Sequence, residues 1–278
     1  MSFLPAGTEI VDALGARGDL VGRSHECDYP AQVKALPVVS RPTLDLNGLT
    51  QKGIDAAVAD KLRSGESLYV VDEVLLQELA PDVILTQDLC QVCAPSGNEL
   101  TRAVRALSTN PNVVYLSPRT LADIDGNIVA VGDAIGRAEA AREVVARNHA
   151  RMGRVRRAVR AFAHRPRVAF LEWIDPPYSA GHWVPEMIAI AGGDDPLGRA
   201  GADSVRVPWD DVMAWAPEVL VVAPCGFGLA DAERLACSLP AIPDCRVVAV
   251  DANAYFARPG PRYIDGIELL ARIFHPVT

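Results

Sequence analysis

The sequence predicts an α/β protein in which two Rossmann-like lobes are joined by one long, rigid α-helix, with a ligand cleft between the lobes. Short apolar runs typical of buried parallel strands alternate with helical segments in both halves of the chain. The middle of the chain keeps a helical pattern without a proline, and a stretch of the first half is repeated in the second. We therefore expect a first lobe over residues 1–132, a connecting helix over 133–165 and a second lobe over 166–278.

The elements of the first lobe are predicted from short local signals. In chain order they are a helix over 9–14 with Thr8 as N-cap and Gly15 at its end, a strand starting at 20–22, a helix over 74–79, and strands over 83–86 and 113–116. Pro81 ends the second helix, because proline cannot continue it. The last two strands are the apolar runs that a parallel sheet with covered faces requires.

The connecting helix is predicted from an apolar stripe at helical spacing between Ala138 and Phe162, which only Asn148 interrupts. Residues 133–164 contain no proline and two glycines, Gly136 and Gly153. Such a helix measures roughly 45 Å, and because a helix is stiff we expect the lobes to move little on ligand binding. We interpret its arginine-rich face as a solvated surface.

The second lobe repeats part of the first. Residues 71–85 resemble residues 207–221, and in both copies a helix is followed by Ala, Pro, an acidic residue and an apolar strand. The two prolines, Pro81 and Pro217, lie 136 positions apart. A further strand is predicted at 167–171, and Gly192 with Gly193 is interpreted as the end of a helix.

The composition limits the classes of function. The chain has 278 residues, half of them hydrophobic, and this suffices for one or two domains with a large core. It carries 27 Lys and Arg against 35 Asp and Glu, a formal net charge of −8. Since nucleic acids and anionic membranes require a basic face, neither is an expected partner. No apolar run reaches the roughly 18–20 residues of a membrane span, so we expect no membrane insertion.

The first residues lack the basic segment, apolar segment and small-residue cleavage site of a signal peptide. We therefore expect a cytoplasmic protein as the sequence is written, and a periplasmic or extracellular one only if the true start lies upstream. Six cysteines are too few for a disulfide scaffold.

Ligands of open parallel sheets bind beyond the carboxyl ends of the strands, so the residues that follow each predicted strand are candidates. Aromatic side chains at these positions offer a surface on which a large planar ligand stacks. The candidate ligand-binding residues are His25, Glu26, Tyr29, Gln87, Trp173, Tyr178, Trp183, Trp209 and Phe227. The alternative for Trp209 and Trp215 is a place in the core of the second lobe.

Cys90 and Cys93 form a single C-x-x-C, which supplies two of the four ligands of a closed zinc site. A thiolate set of this kind suits zinc, copper(I) or an iron–sulfur cluster. Two alternatives stay open: the cysteines are reduced thiols that only pack in a loop, or the C-x-x-C is a redox pair. The remaining metal ligands are expected among Cys27, His25, His182 and Cys225.

Motifs of catalysis are missing. The sequence contains no G-x-S-x-G, no H-E-x-x-H, no dinucleotide-binding G-x-G-x-x-G and no Walker G-x-x-x-x-G-K. Carboxylates are plentiful, but none of them is paired with a nucleophile. We therefore predict a binding protein rather than an enzyme.

Four segments, residues 4–10, 24–30, 80–85 and 175–193, carry a family resemblance. Together they resemble the cobalamin/iron-siderophore substrate-binding proteins of ABC importers, a class III periplasmic-binding-protein-like family, and its cobalamin-binding branch in particular. The resemblance covers nearly the whole chain. It implies two lobes with a helical backbone, a ligand such as cobalamin or a related metal chelate between them, and delivery of that ligand to an ABC permease.

The resemblance also implies roles for single residues. Tyr178 stands where the cobalamin-binding branch carries the aromatic residue that stacks on the corrinoid, and Trp209 matches a second ligand-facing aromatic residue. The loop with His25 and Glu26 lines the cleft in that family, and Gln87 stands where its members can place a Trp.

Acidic residues on the outer surface of both lobes dock onto arginines of the permease in this family. The nearest matches in this chain are Asp72 or Glu73 and Asp210 or Asp211, and we take Glu73 and Asp210 as the docking residues. N-capping of a helix is the alternative for Asp210 and for the neighbouring Asp72.

The first hypothesis is therefore a substrate-binding protein for cobalamin or a related metal chelate, with an ABC importer as partner. The alternative is an intracellular protein of the same fold, whose Cys and His residues hold zinc, an iron–sulfur cluster or a heme-like cofactor. A chelatase-like enzyme has the least support, because no acid–base pair is evident. The metal content of the purified protein and an upstream signal peptide distinguish the first two hypotheses.

Overall fold

A computed structural model describes residues 1–46, 48–87, 103–104 and 107–276. The chain divides into two units, each with helices and strands, which agrees with the predicted α/β class. The first unit contains Met1–Ser117 and Asp123–Val145, and the second contains Pro118–Ala122 and Ala146–Thr278. Among the described residues, none of the helices combines the length and apolar character that a membrane span requires.

The described elements of the first unit begin with a helix and alternate thereafter between strands and helices. They are α1 (Pro5–Ala13), β1 (Arg23–Ser24), β2 (Val38–Pro42), α2 (Gln51–Arg63), β3 (Tyr69–Val71), α3 (Glu73–Leu79), β4 (Val83–Thr86), β5 (Asn112–Tyr115) and most of α4 (Leu121–Ala134), with short 3-10 turns at Arg17–Asp19 and Ala31–Ala35. Helix α1 starts earlier than predicted, because Pro5 occupies its first turn. Thr8 is therefore buried inside the helix and does not cap it.

The strands of the first unit are joined through the segment around Ser2. Strand β1 is parallel to β2, β2 is antiparallel to β3, and β4 is parallel to β5. Ser2 forms parallel bridges to Arg23 and to Leu85, so residues 1–3 lie between β1 and β4. The amide of Phe3 donates to the carbonyl of Leu85 at 2.9 Å, and the ring of Phe3 is fully buried in the core.

Helix α5 (Ala138–Val159) runs from the first unit into the second. The observed helix is shorter at both ends than the predicted helix over 133–165, and residues 133–134 belong to α4. Gly136 has a φ of +70°, a left-handed conformation that ends one helix before the next begins. Within the second unit, Arg151 of α5 contacts Asp265 at 2.5 Å and Glu268 at 2.7 Å.

The second unit contains one four-stranded sheet with helices around it. Its elements after α5 are β6 (Val168–Ile174), β7 (Pro177–Ser179), α6 (Val184–Ile190), α7 (Trp209–Trp215), β8 (Val219–Val222), α8 (Leu229–Ala236), β9 (Arg246–Ala249), α9 (Ala252–Tyr255) and α10 (Tyr263–Phe274). The strand order is β7-β6-β8-β9. Strands β6, β8 and β9 are parallel, and β7 is an antiparallel edge strand. The carboxyl ends of β6 and β8 therefore meet at one edge of the sheet.

The sequence repeat is a structural repeat. Helices α3 and α7 occupy the corresponding seven positions of the two copies, and strands β4 and β8 correspond in the same way. Each helix ends at an alanine in the left-handed conformation, with φ of 39° at Ala80 and 48° at Ala216. The equivalent residues Leu76 and Val212 are both fully buried. The predicted repeat is therefore confirmed at the level of single residues.

Candidate functional site

Two predicted aromatic residues come together at the carboxyl ends of β6 and β8. Trp173 lies near the end of β6 and Phe227 follows β8, and their rings pack edge to face with centroids 5.6 Å apart. Both are partly exposed. The pairing of Leu171 with Val222 in the two neighbouring parallel strands is what brings these positions together. The edge of this sheet thus presents an apolar, aromatic surface beside polar groups.

Glu172, the residue before Trp173, holds the adjacent loops in place. Its carboxylate accepts hydrogen bonds from the amide of Gly181 at 2.8 Å and from the hydroxyl of Ser204 at 2.5 Å. A Cβ at position 181 would clash with the backbone nitrogen of Ser204, so glycine allows this close approach. Desolvation raises the pKa of Glu172 to about 7, and the two hydrogen bonds oppose this rise only partly.

Asp195 is a second carboxylate of this kind. It accepts from the amides of Phe170 at 3.1 Å and Leu197 at 3.1 Å, and so connects β6 to the segment after α6. Desolvation raises the pKa of Asp195 to about 7, against the effect of these backbone donors.

The loop held by Glu172 carries His182, whose φ of 51° is unusual for a residue with a side chain. The Nε2 atom of His182 lies 3.1 Å from Oδ1 of Asp203, and the same oxygen accepts from Arg119 at 3.2 Å. Desolvation lowers the pKa of His182, although Asp203 acts in the opposite direction. The imidazole is therefore neutral near pH 7, which is the form that ligates metal ions, and a carboxylate holds one of its nitrogens.

The other aromatic candidates of the second unit have different surroundings. Tyr178 is partly exposed, and its hydroxyl accepts from Nε of Arg206 at 2.9 Å. Trp209 begins α7 and packs against the core, which is the alternative that the sequence left open. Trp183 is only 7% exposed, and its indole nitrogen donates to the carbonyl of Phe256 at 3.0 Å. The structure thus places Trp183 in the core, where it offers little surface to a ligand.

The candidates of the first unit lie after β1 and β4. His25 is half-buried, with its ring 5.8 Å from that of Tyr69 and its Nε2 atom 3.7 Å from the carboxylate of Glu26. Desolvation lowers the pKa of His25. Tyr29 is 45% exposed, whereas Gln87 is buried.

The cysteines among the predicted metal ligands fall into three groups. Cys27 is fully buried, and its Sγ accepts from the hydroxyl of Thr8 at 3.0 Å. Cys225 is an exposed free thiol. Cys90 and Cys93 lie outside the described residues, so the C-x-x-C stays a prediction. Within the described part of the chain, no group of three or more His, Cys, Asp or Glu has the arrangement of a metal site.

The predicted docking residues lie in corresponding helices. Glu73 is in the first turn of α3 and Asp210 is in the first turn of α7, where it is exposed. Asp72 is the N-cap of α3, because its side chain accepts from the amide of Leu75 at 3.0 Å. Asp210 does not cap α7, whose N-cap is Pro208. The N-capping alternative thus holds for Asp72 and fails for Asp210.

Several polar residues of this site were not predicted. Asp203 contacts His182 and Arg119, and Ser204 contacts Glu172. In each pair the two residues are far apart in the sequence. No motif of fixed spacing marks them. The only local signal is Gly181, whose missing side chain makes room for the loop that carries Asp203 and Ser204.

Solved structures with the same fold cover almost the whole chain. The periplasmic heme-binding protein RhuT from Roseiflexus sp. RS-1 has a TM-score of 0.69 and 23% identity, with 98% of this chain and 96% of that chain covered. The periplasmic vitamin B12 binding protein BtuF of Vibrio cholerae has a TM-score of 0.66 and 22% identity, with coverage of 98% and 94%. A Staphylococcus epidermidis ATCC 12228 protein, described as a possible iron-binding, periplasmic solute-binding protein, has a TM-score of 0.72 and 19% identity, with coverage of 99% and 98%.

A search of curated protein sequences finds no significant match. The family model of the periplasmic binding proteins, in contrast, matches residues 2–238, which is most of the chain. This family consists of solute-binding proteins and not of enzymes, in agreement with the prediction from the missing catalytic motifs. The chain belongs to the periplasmic binding protein family.

Proposed function

We propose that this substrate-binding protein takes a metal chelate with a large ring system, such as cobalamin, and delivers it to an ABC importer. The observation that carries the proposal is the Trp173–Phe227 pair at the carboxyl ends of β6 and β8. Two partly exposed aromatic rings at this edge offer apolar area to a ligand with a broad flat face. The sequence resemblance to the cobalamin-binding branch and the fold shared with the vitamin B12 binding protein support the choice of ligand.

Heme is the second candidate, and His182 is the observation that favours it. Its imidazole is neutral near pH 7 and is held by Asp203, as in many metal-ligating histidines. Heme has an open axial position that such an imidazole fills. The fold shared with heme-binding proteins such as RhuT is consistent with this candidate.

The same proposal assigns Glu73 and Asp210 to docking on the permease. Both carboxylates lie in the first turn of helices that correspond in the repeat, so the two units present acidic groups from equivalent elements. Delivery to an importer also implies that the protein acts on the outer side of the cytoplasmic membrane. Fractionation of cells that express the native gene tests this location.

Ligand titration tests the proposed function. We expect saturable binding of cobalamin or hemin by calorimetry and by a shift of the ligand absorption. Trp173→Ala and Phe227→Ala are each expected to weaken binding by about 1–3 kcal/mol, because each removes apolar contact area. Val247→Ala is the matched control, since Val247 is an exposed apolar residue of β9 in the same unit.

His182→Ala separates the two ligands. For hemin we expect this variant to shift the absorption of the bound ligand, because an axial ligand is lost. For cobalamin we expect a smaller change. Absence of heat and of any spectral change at millimolar cobalamin, together with absence of hemin binding, would refute the proposed function.

The alternative of an intracellular metal–thiolate protein finds no support among the described residues, although Cys90 and Cys93 lie outside them. Anaerobic purification followed by metal analysis tests it directly. Bound metal that disappears in the variant with Cys90→Ser and Cys93→Ser would favour the metal–thiolate protein over the chelate-binding protein.

A further inference from the structure

The end of α5 and the segment after it form a basic strip in an acidic protein. Residues 146–167 contain no Asp or Glu, while the whole chain has a formal net charge of −8. The arginines of this strip are Arg147, Arg151, Arg154, Arg156, Arg157, Arg160, Arg165 and Arg167. A cluster of positive charge on a molecule with a negative net charge attracts anionic groups locally.

Some of these cations already have acidic partners in the second unit. Arg151 contacts Asp265 and Glu268, and Arg167 lies 3.5 Å from Glu218. Arg156 and Arg160 differ, because within the described part of the chain neither forms an ion pair with a carboxylate. Arg156 lies in the last turn of α5, and Arg160 is the residue directly after the helix.

Arg156 and Arg160 line a cavity of about 350 Å³ between the end of α5 and the end of α6, which we call the arginine pocket. Its charged wall is completed by Arg165, and its apolar wall contains Val159, Phe162 and Ile190. The pocket therefore combines cationic and apolar surface in one concave site.

The carbonyl groups at the end of α6 do not occupy the guanidinium groups of Arg156 and Arg160. Arg165 donates to the carbonyls of Gly193 at 2.8 Å and Ala189 at 3.4 Å, and the amide of Gly192 also donates to Ala189. The carbonyls at the end of α6 thus have donors already. The guanidinium groups of Arg156 and Arg160 remain for a ligand.

Phe162 supplies the apolar contact. One face of its ring stacks on His275, with centroids 4.4 Å apart and planes inclined by 16°. The residue is nevertheless 44% exposed. A ring fixed on one face and open to solvent on the other offers a binding surface for a second apolar group.

We infer that the arginine pocket binds an organic phosphate, whose phosphate lies on Arg156 and Arg160 and whose apolar part lies against Phe162. Guanidinium forks match phosphate oxygens in bidentate geometry, and two or three of them balance the charge of a phosphate dianion. The phosphate belongs either to a soluble organic phosphate or to the headgroup of an anionic lipid. The site is separate from the aromatic edge at Trp173 and does not depend on the proposed function.

Binding of 1-naphthyl phosphate to the full chain tests the inference by calorimetry. We expect saturable binding to the wild type. In the double variant Arg156→Gln with Arg160→Gln we expect a dissociation constant that is at least tenfold larger. The matched control is Arg142→Gln with Arg147→Gln, which removes the same charge from exposed positions of the same helix. This control is expected to bind like the wild type. Phe162→Ala is expected to weaken naphthyl phosphate binding and to leave binding of inorganic phosphate unchanged.

Vesicles distinguish the two sources of phosphate. A lipid headgroup is identified if the wild type floats with phosphatidylglycerol vesicles, if 1-naphthyl phosphate inhibits this flotation, and if the Arg156/Arg160 variant does not float. Binding of 1-naphthyl phosphate without binding to these vesicles identifies a soluble organic phosphate. The inference is overturned if the wild type does not bind at millimolar ligand, if 1-naphthol binds equally well, or if both double variants lose binding to the same extent.

Discussion

Replacement of Glu172 by glutamine tests whether this carboxylate is the desolvated, hydrogen-bonded group that the structure shows. Glutamine keeps the shape of the side chain and an oxygen that accepts from the amide of Gly181. It removes the ability to ionise, and it replaces the oxygen that accepts from the Ser204 hydroxyl by an NH2 group. Because the folded-state pKa of Glu172 is about 7 and its ordinary value is 4.5, the folded protein holds this proton more tightly than the unfolded chain does.

The sign of the effect follows from this difference. Between pH 4.5 and about 7 the folded state binds more protons at Glu172 than the unfolded state, so this group lowers stability as the pH rises through that window. One pKa unit corresponds to about 1.4 kcal/mol, which gives at most about 3 kcal/mol for the whole shift. The residue is partly exposed, and solvent reduces this value. Asp195 contributes in the same direction, with a pKa also near 7.

Urea denaturation followed by tryptophan fluorescence between pH 5 and pH 8.5 measures the effect. We expect the unfolding free energy of the wild type to fall across this range by up to about 3 kcal/mol more than that of Glu172→Gln. Histidines titrate in the same range, but they contribute equally to both proteins and cancel in the comparison. Glu233→Gln, at an exposed position of α8, is the control and should keep the wild-type slope. Equal slopes for wild type and Glu172→Gln would refute the assignment.

Three further changes in the second unit test its packing, each measured as the free energy of urea unfolding. Ala216→Gly is expected to stabilise by roughly 0.5–1 kcal/mol, because φ at this position is 48° and glycine adopts it without strain; a loss of stability would contradict this. Gly181→Ala is expected to cost at least about 2 kcal/mol, since the new methyl group meets the backbone of Ser204; a neutral result would show that the loop shifts easily. Trp215→Phe is expected to cost about 1–3 kcal/mol through loss of its 2.9 Å hydrogen bond to the carbonyl of Val168, and retention of wild-type stability would exclude that role.

The parts of the fold that the sequence predicts well depend on neighbouring residues. The strand over 83–86 is observed with the predicted bounds, and the helix before it differs by one residue. The Ala80-Pro81 step explains this success, because proline prevents the helix from continuing and the following apolar run has one stable environment. The same reasoning holds for Ala216-Pro217 in the second copy.

The parts that were not predicted depend on distant residues. The apolar stripe from Ala138 starts where α5 starts, but the pattern alone does not show that Gly136 ends the preceding helix. Asp203 and His182 lie in two loops that Glu172 and a backbone hydrogen bond from His182 to Ala202 hold together. The burial of Trp183 depends on the carbonyl of Phe256, far along the chain. Such contacts are decided by tertiary packing and leave no periodic signal in the sequence.

The place of Ser2 between β1 and β4 has a consequence for the order in which the first unit folds. Its bridge to Leu85 closes a loop of about 80 residues, and the entropy cost of closure rises with loop length. Strands β1 and β2, in contrast, are near neighbours in the chain and can pair early. On a ribosome the residues made first must therefore wait for β4 to emerge before their pairing is complete. Until then the apolar side chain of Phe3 stays exposed to other chains and to chaperones.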